Sequence, residues 1–285
     1  MTIIDIHVHP VAKHMVKDQR NLRAMERECG KRLGSTPIEM LLASMDAGGI
    51  SKACLLGPSP CDGINLTNDM VHAIVQSHPQ RLFGFVGVDP TARDNSATKT
   101  EIERAVSAWG FKGVGEFGGI DYLVPEWEIV FETCIALQIP VLVHVGVPLP
   151  SMLLKYGNPS FLDELANRYP DLKIIAAHVG MPWILETIAV AVRHDNVYVD
   201  ISALPAFRKE LIPFILSVCL ERGLEDRVLF GSDFPVVDPG QYAKSLSAMQ
   251  VPAPARWLLK LPSISPQFKK KVLAENAMKL LKLEL

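Results

Sequence analysis

The sequence has no strong excess of one charge and no long apolar run. Its 285 residues carry 29 Lys and Arg against 31 Asp and Glu, which gives a formal net charge of −2. This balance gives no electrostatic reason to expect nucleic acid or a membrane surface as the main partner. No apolar run approaches the roughly 18 residues that a membrane-spanning helix needs. The chain is therefore expected to have no membrane partner.

Cysteine is scarce, and no two cysteines form a CxxC pair. The chain has five, an odd number, at Cys29, Cys54, Cys61, Cys134 and Cys219. A disulfide framework or a thiolate zinc site is therefore not expected. The first five residues, MTIID, show no basic region followed by an apolar stretch, so no signal peptide is expected either. Both observations predict a reducing, cytoplasmic location.

Motifs for serine hydrolases and for nucleotide binding are also missing. The chain has no GxSxG elbow and no P-loop GKS or GKT. Gly113, Gly115 and Gly118 do match GxGxxG, but a dinucleotide site requires these glycines to open a helix. The following residues, 119–125, are predicted to continue as a loop, so a Rossmann site is disfavoured.

The chain is rich in apolar residues, at 48%, and short β-branched runs alternate with segments of helical period. The predicted strands are Ile3–His7, Ala53–Leu56, Leu82–Val88, Gly113–Glu116, Val141–Val145, Lys173–His178, Val197–Ile201 and Val228–Phe230. The predicted helices are Pro37–Ala47, Asn65–Ser77, Glu101–Ala108, Glu126–Leu137, Phe161–Arg168, Pro182–Val192 and Ala206–Arg222. Such alternation predicts an α/β fold, a (β/α)₈ TIM barrel forming one domain over residues 1–285.

Two segments lie outside this alternation. Residues 11–36 form an insertion after the first strand, with three acidic residues and seven basic ones: Lys13, Lys17, Arg20, Arg23, Arg27, Lys31 and Arg32. One interpretation is a cationic lid over the catalytic face that attracts an anionic substrate, and the other is a helix whose charges face water. At the other end, Pro252–Leu285 is predicted to finish in a helix packed on the barrel.

Histidine and carboxylate residues follow the predicted strands. His7 and His9 close the first strand on the same side, His144 and His178 end the fifth and sixth, and Asp233 follows the eighth. The carboxyl ends of barrel strands meet at one face, where active sites lie. Imidazole and carboxylate ligands suit zinc or a similar divalent ion. The sequence therefore predicts a metal site at this face. Glu116, at the end of the fourth strand, could bridge two ions.

These motifs, in this order, resemble the amidohydrolase superfamily, and most of all its amidohydrolase-related branch. The resemblance runs from Ile3 to about Leu281 and rests on the segments HVH (7–9), His144, AHVG (177–180), GSDFP (231–235) and ENA (275–277). It implies a metal held by His7, His9 and Asp233, joined by His144 in mononuclear forms. It also implies that His178 hydrogen-bonds the attacking water or polarises the substrate carbonyl.

The segment GEFG (115–118) departs from the mononuclear pattern. It is more similar to the fourth-strand motif of TatD-like and phosphotriesterase-like relatives, in which a carboxylate or a carbamylated lysine bridges two metals. Lys112 does not occupy that bridging position. The metal count is therefore open between one ion and two, with Zn²⁺ expected and Mn²⁺ possible.

The chemistry expected from such a site is hydrolysis of a small lactone, amide or ester, including one that bears a carboxylate. A divalent metal lowers the pKa of bound water from 15.7 to about 7, and Asp233 is expected to accept the proton. Non-oxidative decarboxylation of an unsaturated or aromatic acid is the main alternative. A two-metal phosphodiesterase or nuclease and a non-catalytic barrel are further alternatives.

The substrate pocket is harder to predict than the metal site. Loops that follow the strands should supply its walls, and the candidate residues are Ser59, Cys61, Met181, Trp183 and Ser202. A small molecule is the expected partner. A homo-oligomer is possible, since such assemblies are common among soluble proteins.

Overall fold

All eight predicted strands are present in the computed structural model, which describes residues 2–34, 37–60, 62–92 and 94–284. The strands are β1 (Ile4–Val8), β2 (Lys52–Leu55), β3 (Leu82–Gly84), β4 (Val114–Phe117), β5 (Val141–Val143), β6 (Ile174–Ala176), β7 (Val197–Asp200) and β8 (Val228–Leu229). They pair in parallel, in the order β1-β2-β3 and β4-β5-β6-β7-β8.

Backbone hydrogen bonds join these two groups of strands into a closed barrel. Between β3 and β4, Val86 donates to Gly113 and accepts from Gly115, at 2.9 and 3.0 Å. Between β8 and β1, the amide of Ile6 donates to the carbonyl of Phe230 at 3.0 Å. Parallel strands whose long apolar runs are buried on both faces are typical of such barrels. The (β/α)₈ prediction is confirmed.

Helices surround the barrel, and most of them cover its outer face. They are α1 (Gln19–Glu28), α2 (Pro37–Gly48), α3 (Asn68–Ser77), α4 (Asn95–Trp109), α5 (Glu128–Leu137), α6 (Pro159–Arg168), α7 (Ile184–Arg193), α8 (Leu204–Arg208), α9 (Ile212–Glu221), α10 (Pro239–Ala248), α11 (Ala253–Leu259), α12 (Pro266–Lys270) and α13 (Asn276–Leu281). Within the described ranges, none of these helices is long and apolar enough to cross a membrane. The four cysteines of those ranges are free, and Cys61 lies outside them.

One predicted helix is divided in the structure. Residues 206–222 were expected to form a single helix, but α8 ends at Arg208 and a 3₁₀ turn, Lys209–Leu211, separates it from α9. Pro213 occupies the first turn of α9. Proline is tolerated there because the first amides of a helix have no intrahelical acceptor, whereas in a helix interior it removes a hydrogen bond. The single-helix prediction is therefore wrong at this point.

The C-terminal helical segment closes the barrel, as predicted. α12 continues through a π-helical turn, Lys271–Glu275, into α13. Its buried side chains pack with strand residues that face the barrel interior, such as Leu142 and Ile175. The neighbouring residues of these strands, such as Val141, belong instead to the larger cluster under the outer helices. This alternation decides which side chains face the barrel axis.

Asn276 ties this segment to the barrel, and its replacement is expected to cost stability. Its buried amide nitrogen donates to the carbonyls of Glu225 and Val228 at 2.9 and 2.8 Å. Asn276→Ala leaves both carbonyls without that donor, so we expect a loss of roughly 2 to 4 kcal/mol. Thermal melting measures this loss of stability, and Lys279→Ala, at an exposed position on the same helix, is the control. Equal melting temperatures for the two variants would contradict this assignment.

Candidate metal centre

Six predicted ligands lie together at the carboxyl ends of the strands. His7 is in β1 and His9 follows it, while Glu116 is in β4 and His144 directly follows β5. His178 and Asp233 follow β6 and β8. Because Leu142 faces the barrel interior, His144 two residues later continues on that side.

His178 and Asp233 reach the site through unusual backbone conformations. Their φ angles are 59° and 63°, in the left-handed region that non-glycine residues seldom adopt. Hydrogen bonds hold both turns: the His178 amide donates to Asp200 Oδ1 at 2.9 Å, and the Asp233 amide donates to the His7 carbonyl at 2.8 Å. Such conformations concentrate at functional sites, where the surroundings stabilise them.

One group of donor atoms surrounds His7 and His9. Their Nε2 atoms are 3.2 Å apart. Asp233 Oδ1 is 3.3 Å from His9 Nε2 and 3.6 Å from His7 Nε2. Glu116 Oε2 lies at the same two distances from these nitrogens, 3.3 and 3.6 Å. His7, His9 and Asp233 thus form one potential ligand set.

The other Glu116 oxygen faces a second pair of imidazoles. Glu116 Oε1 is 3.0 Å from His144 Nδ1 and 3.5 Å from His178 Nε2. His7, Glu116 and His178 form a second potential ligand set, which shares His7 with the first. The Glu116 carboxylate therefore lies between two groups of histidines.

These residues fit a divalent metal. His144 Nε2 is buried and has no hydrogen-bond partner. The Nε2 atoms of His7 and His9 face the same point, together with two carboxylates. Imidazole nitrogens and carboxylate oxygens are the donors that zinc, manganese and similar ions take in proteins. We conclude that the site is built for a divalent metal.

Asp200 is a buried carboxylate of the site that the sequence analysis missed. Its Oδ2 accepts from His7 Nδ1 at 2.8 Å, and its Oδ1 accepts from the amides of His178 and Ser202. The Ser202 hydroxyl donates to the same Oδ1 and lies 2.8 Å from His178 Nδ1. Alternation along Tyr198–Ser202 turns a polar residue toward the barrel interior, and this was the signal in the sequence that could have identified it.

The cavity above the metal site has a volume of about 110 Å³. Apolar side chains supply much of its wall, including Met25 from α1 and Leu149 and Met152 from the loop after β5. Glu28 and Asp62 add carboxylates, and no Lys or Arg of the described residues contributes to the lining. Apart from the histidines of the metal site, the described lining is therefore apolar and acidic.

The insertion after β1 forms part of the wall of this cavity, but its seven basic side chains do not line it. Val11, Met25 and Glu28 line the cavity from the insertion, and its apolar residues form their own small cluster. All seven basic residues of the insertion are exposed to solvent. This placement favours the other interpretation, a helix whose charges face water, because the helix turns its apolar face inward.

The predicted pocket residues are placed differently from the metal ligands. Ser202 is fully buried behind His7 and His178. Met181 and Trp183 lie in the turn before α7, outside the lining of the cavity, whereas Ser59 lines it. Cys61 lies outside the described residues.

Without metal, the protein is expected to be most stable at mildly acidic pH. Burial alone lowers the pKa of His7, but Asp200 and Glu116 raise it well above its usual value; Glu116 likewise raises that of His144. Burial raises the pKa of Asp233. The stability from these groups is lost as pH rises through their folded-state pKa values. Neighbouring imidazoles hold the pKa values of Glu116 and Asp200 below their usual range. The stability that these two carboxylates contribute is therefore lost as pH falls.

The melting temperature of the metal-free protein should therefore pass through a maximum near pH 5 to 6.5, between the usual pKa values of carboxylates and of histidine. Differential scanning fluorimetry from pH 4 to 9 measures this, with and without added metal. Bound metal should reduce the fall at alkaline pH, because it replaces the protons that neutralise the carboxylates. A metal-free melting temperature that rises steadily from pH 6 to 9 would contradict this account.

The chain is similar to decarboxylases and to a hydrolase. It is 25% identical over 246 residues to a gamma-resorcylate decarboxylase from Polaromonas sp. (strain JS666), covering 70% of this chain and 73% of that protein. A 5-carboxyvanillate decarboxylase from Novosphingobium aromaticivorans, solved with manganese, superposes with a TM-score of 0.71 at 19% identity, covering 99% and 96% of the two chains.

A probable 2-pyrone-4,6-dicarboxylic acid hydrolase from Acinetobacter baumannii superposes with a TM-score of 0.69 at 15% identity, covering 99% of this chain and 100% of that one. These structural similarities support the barrel fold. The amidohydrolase family model matches residues 4–283, nearly the whole sequence. With its histidine and carboxylate residues gathered at the carboxyl ends of the barrel strands, the chain belongs to the amidohydrolase family.

Proposed function

We propose that the protein is a metal-dependent hydrolase of a small, uncharged ester, lactone or amide. The observation that carries this proposal is the position of Glu116, whose two oxygens face separate groups of histidines. His7, His9 and Asp233 would hold one divalent ion and His144 and His178 a second, with the Glu116 carboxylate available to both. Zinc is the proposed metal because imidazole nitrogens dominate the donors, with manganese as the alternative.

When bound, a divalent metal supplies a Lewis acid and lowers the pKa of a coordinated water. Asp233 lies at the cavity and can accept a proton from water there, then return it to the leaving group. His178 also lines the cavity, where its Nε2 lone pair could serve as a metal ligand beside Glu116. The apolar wall of the cavity excludes bulk water and contacts the substrate's hydrocarbon part.

The described lining of the cavity narrows the class of substrate that we propose. Among the described lining residues, no Lys or Arg can pair with a substrate carboxylate, so only the metal itself could hold one, while Glu28 and Asp62 would repel it. We therefore favour an uncharged substrate over the carboxylate-bearing one that the sequence also allowed.

Decarboxylation is the second candidate. The observation that favours it is the similarity to a gamma-resorcylate decarboxylase. It ranks second because the position of Glu116 between two groups of histidines favours a site for two metal ions.

The two candidates are separated by an assay of protein stripped of metal and reloaded with Zn²⁺ or Mn²⁺. Uncharged lactones, aryl esters and anilides are tested beside carboxylate-bearing counterparts, with 2,6-dihydroxybenzoate and 5-carboxyvanillate as decarboxylation substrates. We expect metal-dependent hydrolysis of an uncharged compound, with the acidic counterpart a poorer substrate. Release of CO₂ without any hydrolysis would overturn the proposal in favour of decarboxylation.

A further inference from the structure

A buried pair of residues behind the metal site contacts two of its histidines. Asp200 and Ser202 are both fully buried, and neither lines the cavity. Asp200 Oδ2 is 2.8 Å from His7 Nδ1, and Ser202 Oγ is 2.8 Å from His178 Nδ1. These contacts are on the side of each imidazole ring away from the proposed metal ligands.

The hydrogen bonds around Asp200 determine which ring nitrogen of His7 and of His178 carries the proton. Its Oδ1 accepts from the amides of His178 and Ser202, each at 2.9 Å, and from the Ser202 hydroxyl. Since that hydroxyl uses its proton on Asp200, its oxygen must accept from His178 Nδ1. Likewise, the Asp200 carboxylate oxygen can only accept from His7 Nδ1.

Each ring therefore carries a proton on Nδ1 and, when neutral, presents a bare Nε2 lone pair. The Nε2 atoms of His7 and His178 are the atoms that approach Glu116 Oε2 and Oε1, at 3.6 and 3.5 Å. His7 belongs to both potential ligand sets, so its tautomer affects both. A neutral histidine with the proton on Nε2 could not bind a metal through that atom.

We propose that Asp200 and Ser202 are positioning residues that hold His7 and His178 in the tautomer required for metal binding through Nε2. This inference rests on the proposed metal site. A carboxylate or hydroxyl behind a metal-binding histidine fixes the orientation of the ring, and its loss typically weakens metal affinity by about 10- to 100-fold. One carboxylate here would position two histidines, His7 of β1 directly and His178 after β6 through Ser202.

Asp200→Asn provides a sharp test because the structure dictates how the amide must orient. The Oδ1 position faces three donors, so the amide must place its oxygen there and its NH₂ group toward His7 Nδ1. That NH₂ is a donor, so it favours the His7 tautomer with the proton on Nε2. Ser202→Ala is the second variant; it removes the acceptor for His178 and a longer 3.2 Å contact with His7 Nδ1, and it leaves the Asp200–His7 contact in place.

The experiment measures Zn²⁺ affinity by competition with a chromophoric chelator and records the visible spectrum of the Co²⁺-substituted protein. We expect Asp200→Asn to bind Zn²⁺ about 10- to 100-fold more weakly and to change the Co²⁺ spectrum, with Ser202→Ala showing a smaller loss. Asp195→Asn, an exposed carboxylate just before β7, is the matched control for charge. Melting curves of the metal-free variants show whether each one folds.

The outcomes separate this inference from the function. If both variants fold and bind Zn²⁺ as tightly as the wild type, with the wild-type Co²⁺ spectrum, the positioning role is overturned while the metal site stands. If the variants lose only thermal stability, the pair is structural and the inference is likewise overturned. If the wild type itself binds no metal, the inference and the proposed function both fail.

Discussion

Asp233→Asn is expected to leave the fold intact and to lower kcat by roughly 10² to 10⁴, the range that general acid–base groups contribute. Asp233 Oδ1 lies 3.3 and 3.6 Å from the Nε2 atoms of His9 and His7, at the wall of the cavity. An asparagine has nearly the same shape and can still offer an oxygen to a metal. It cannot accept a proton from water, so the chemical step should be lost more than substrate binding.

The backbone conformation of Asp233 also suits a replacement by asparagine, so this variant should test the side chain without disturbing the fold. Asp233 has a φ of 63°, which asparagine adopts more readily than most residues. Its amide donates to the His7 carbonyl at 2.8 Å, and that bond does not depend on the side chain. Melting temperature and metal content should therefore change little, while Asp195→Asn serves as the charge-matched control on the surface. A metal-loaded variant with wild-type kcat would rule out the role assigned to Asp233.

Much of the barrel could be predicted because strand and helix periods differ along this chain. Each predicted strand overlaps an observed one, but several observed strands are shorter. The segment predicted at Leu82–Val88 is regular only over Leu82–Gly84, while Val86 pairs with β4 through an isolated bridge. Strand ends depend on how neighbouring strands twist and close, which a single sequence does not reveal.

The site was predicted unevenly for a similar reason. Histidines at strand ends are rare enough to be noticed, whereas Asp200 resembles any residue that ends a strand. Only the barrel brings Asp200 within 2.8 Å of His7, which is 193 residues away in sequence. In the insertion, Leu22 and Met25 share one face of a helix, and Arg23 and Arg27 lie on the opposite face. This spacing favours charged side chains that face solvent rather than the cavity.

Glu116→Gln is expected to lower the metal content from about two ions per chain to about one, because the two oxygens of Glu116 face separate groups of histidines. The glutamate is buried, and although burial alone would raise its pKa, His7 and His144 hold that pKa well below the usual range. The side chain is thus an anion between two groups of imidazoles. A glutamine replaces one of its oxygens by a donor, which cannot ligate a metal and repels the N–H of any protonated imidazole.

Elemental analysis of protein purified without chelators or an affinity-tag metal measures this change. Losing one ion should also lower kcat by roughly 10² to 10³, the loss found when one preorganised electrostatic partner is removed. Glu132→Gln, an exposed position on α5, controls for the charge change. One ion per chain in both the wild type and the variant would mean that Glu116 does not bridge. The site would then be mononuclear, and the argument from Glu116 for hydrolysis over decarboxylation would no longer hold.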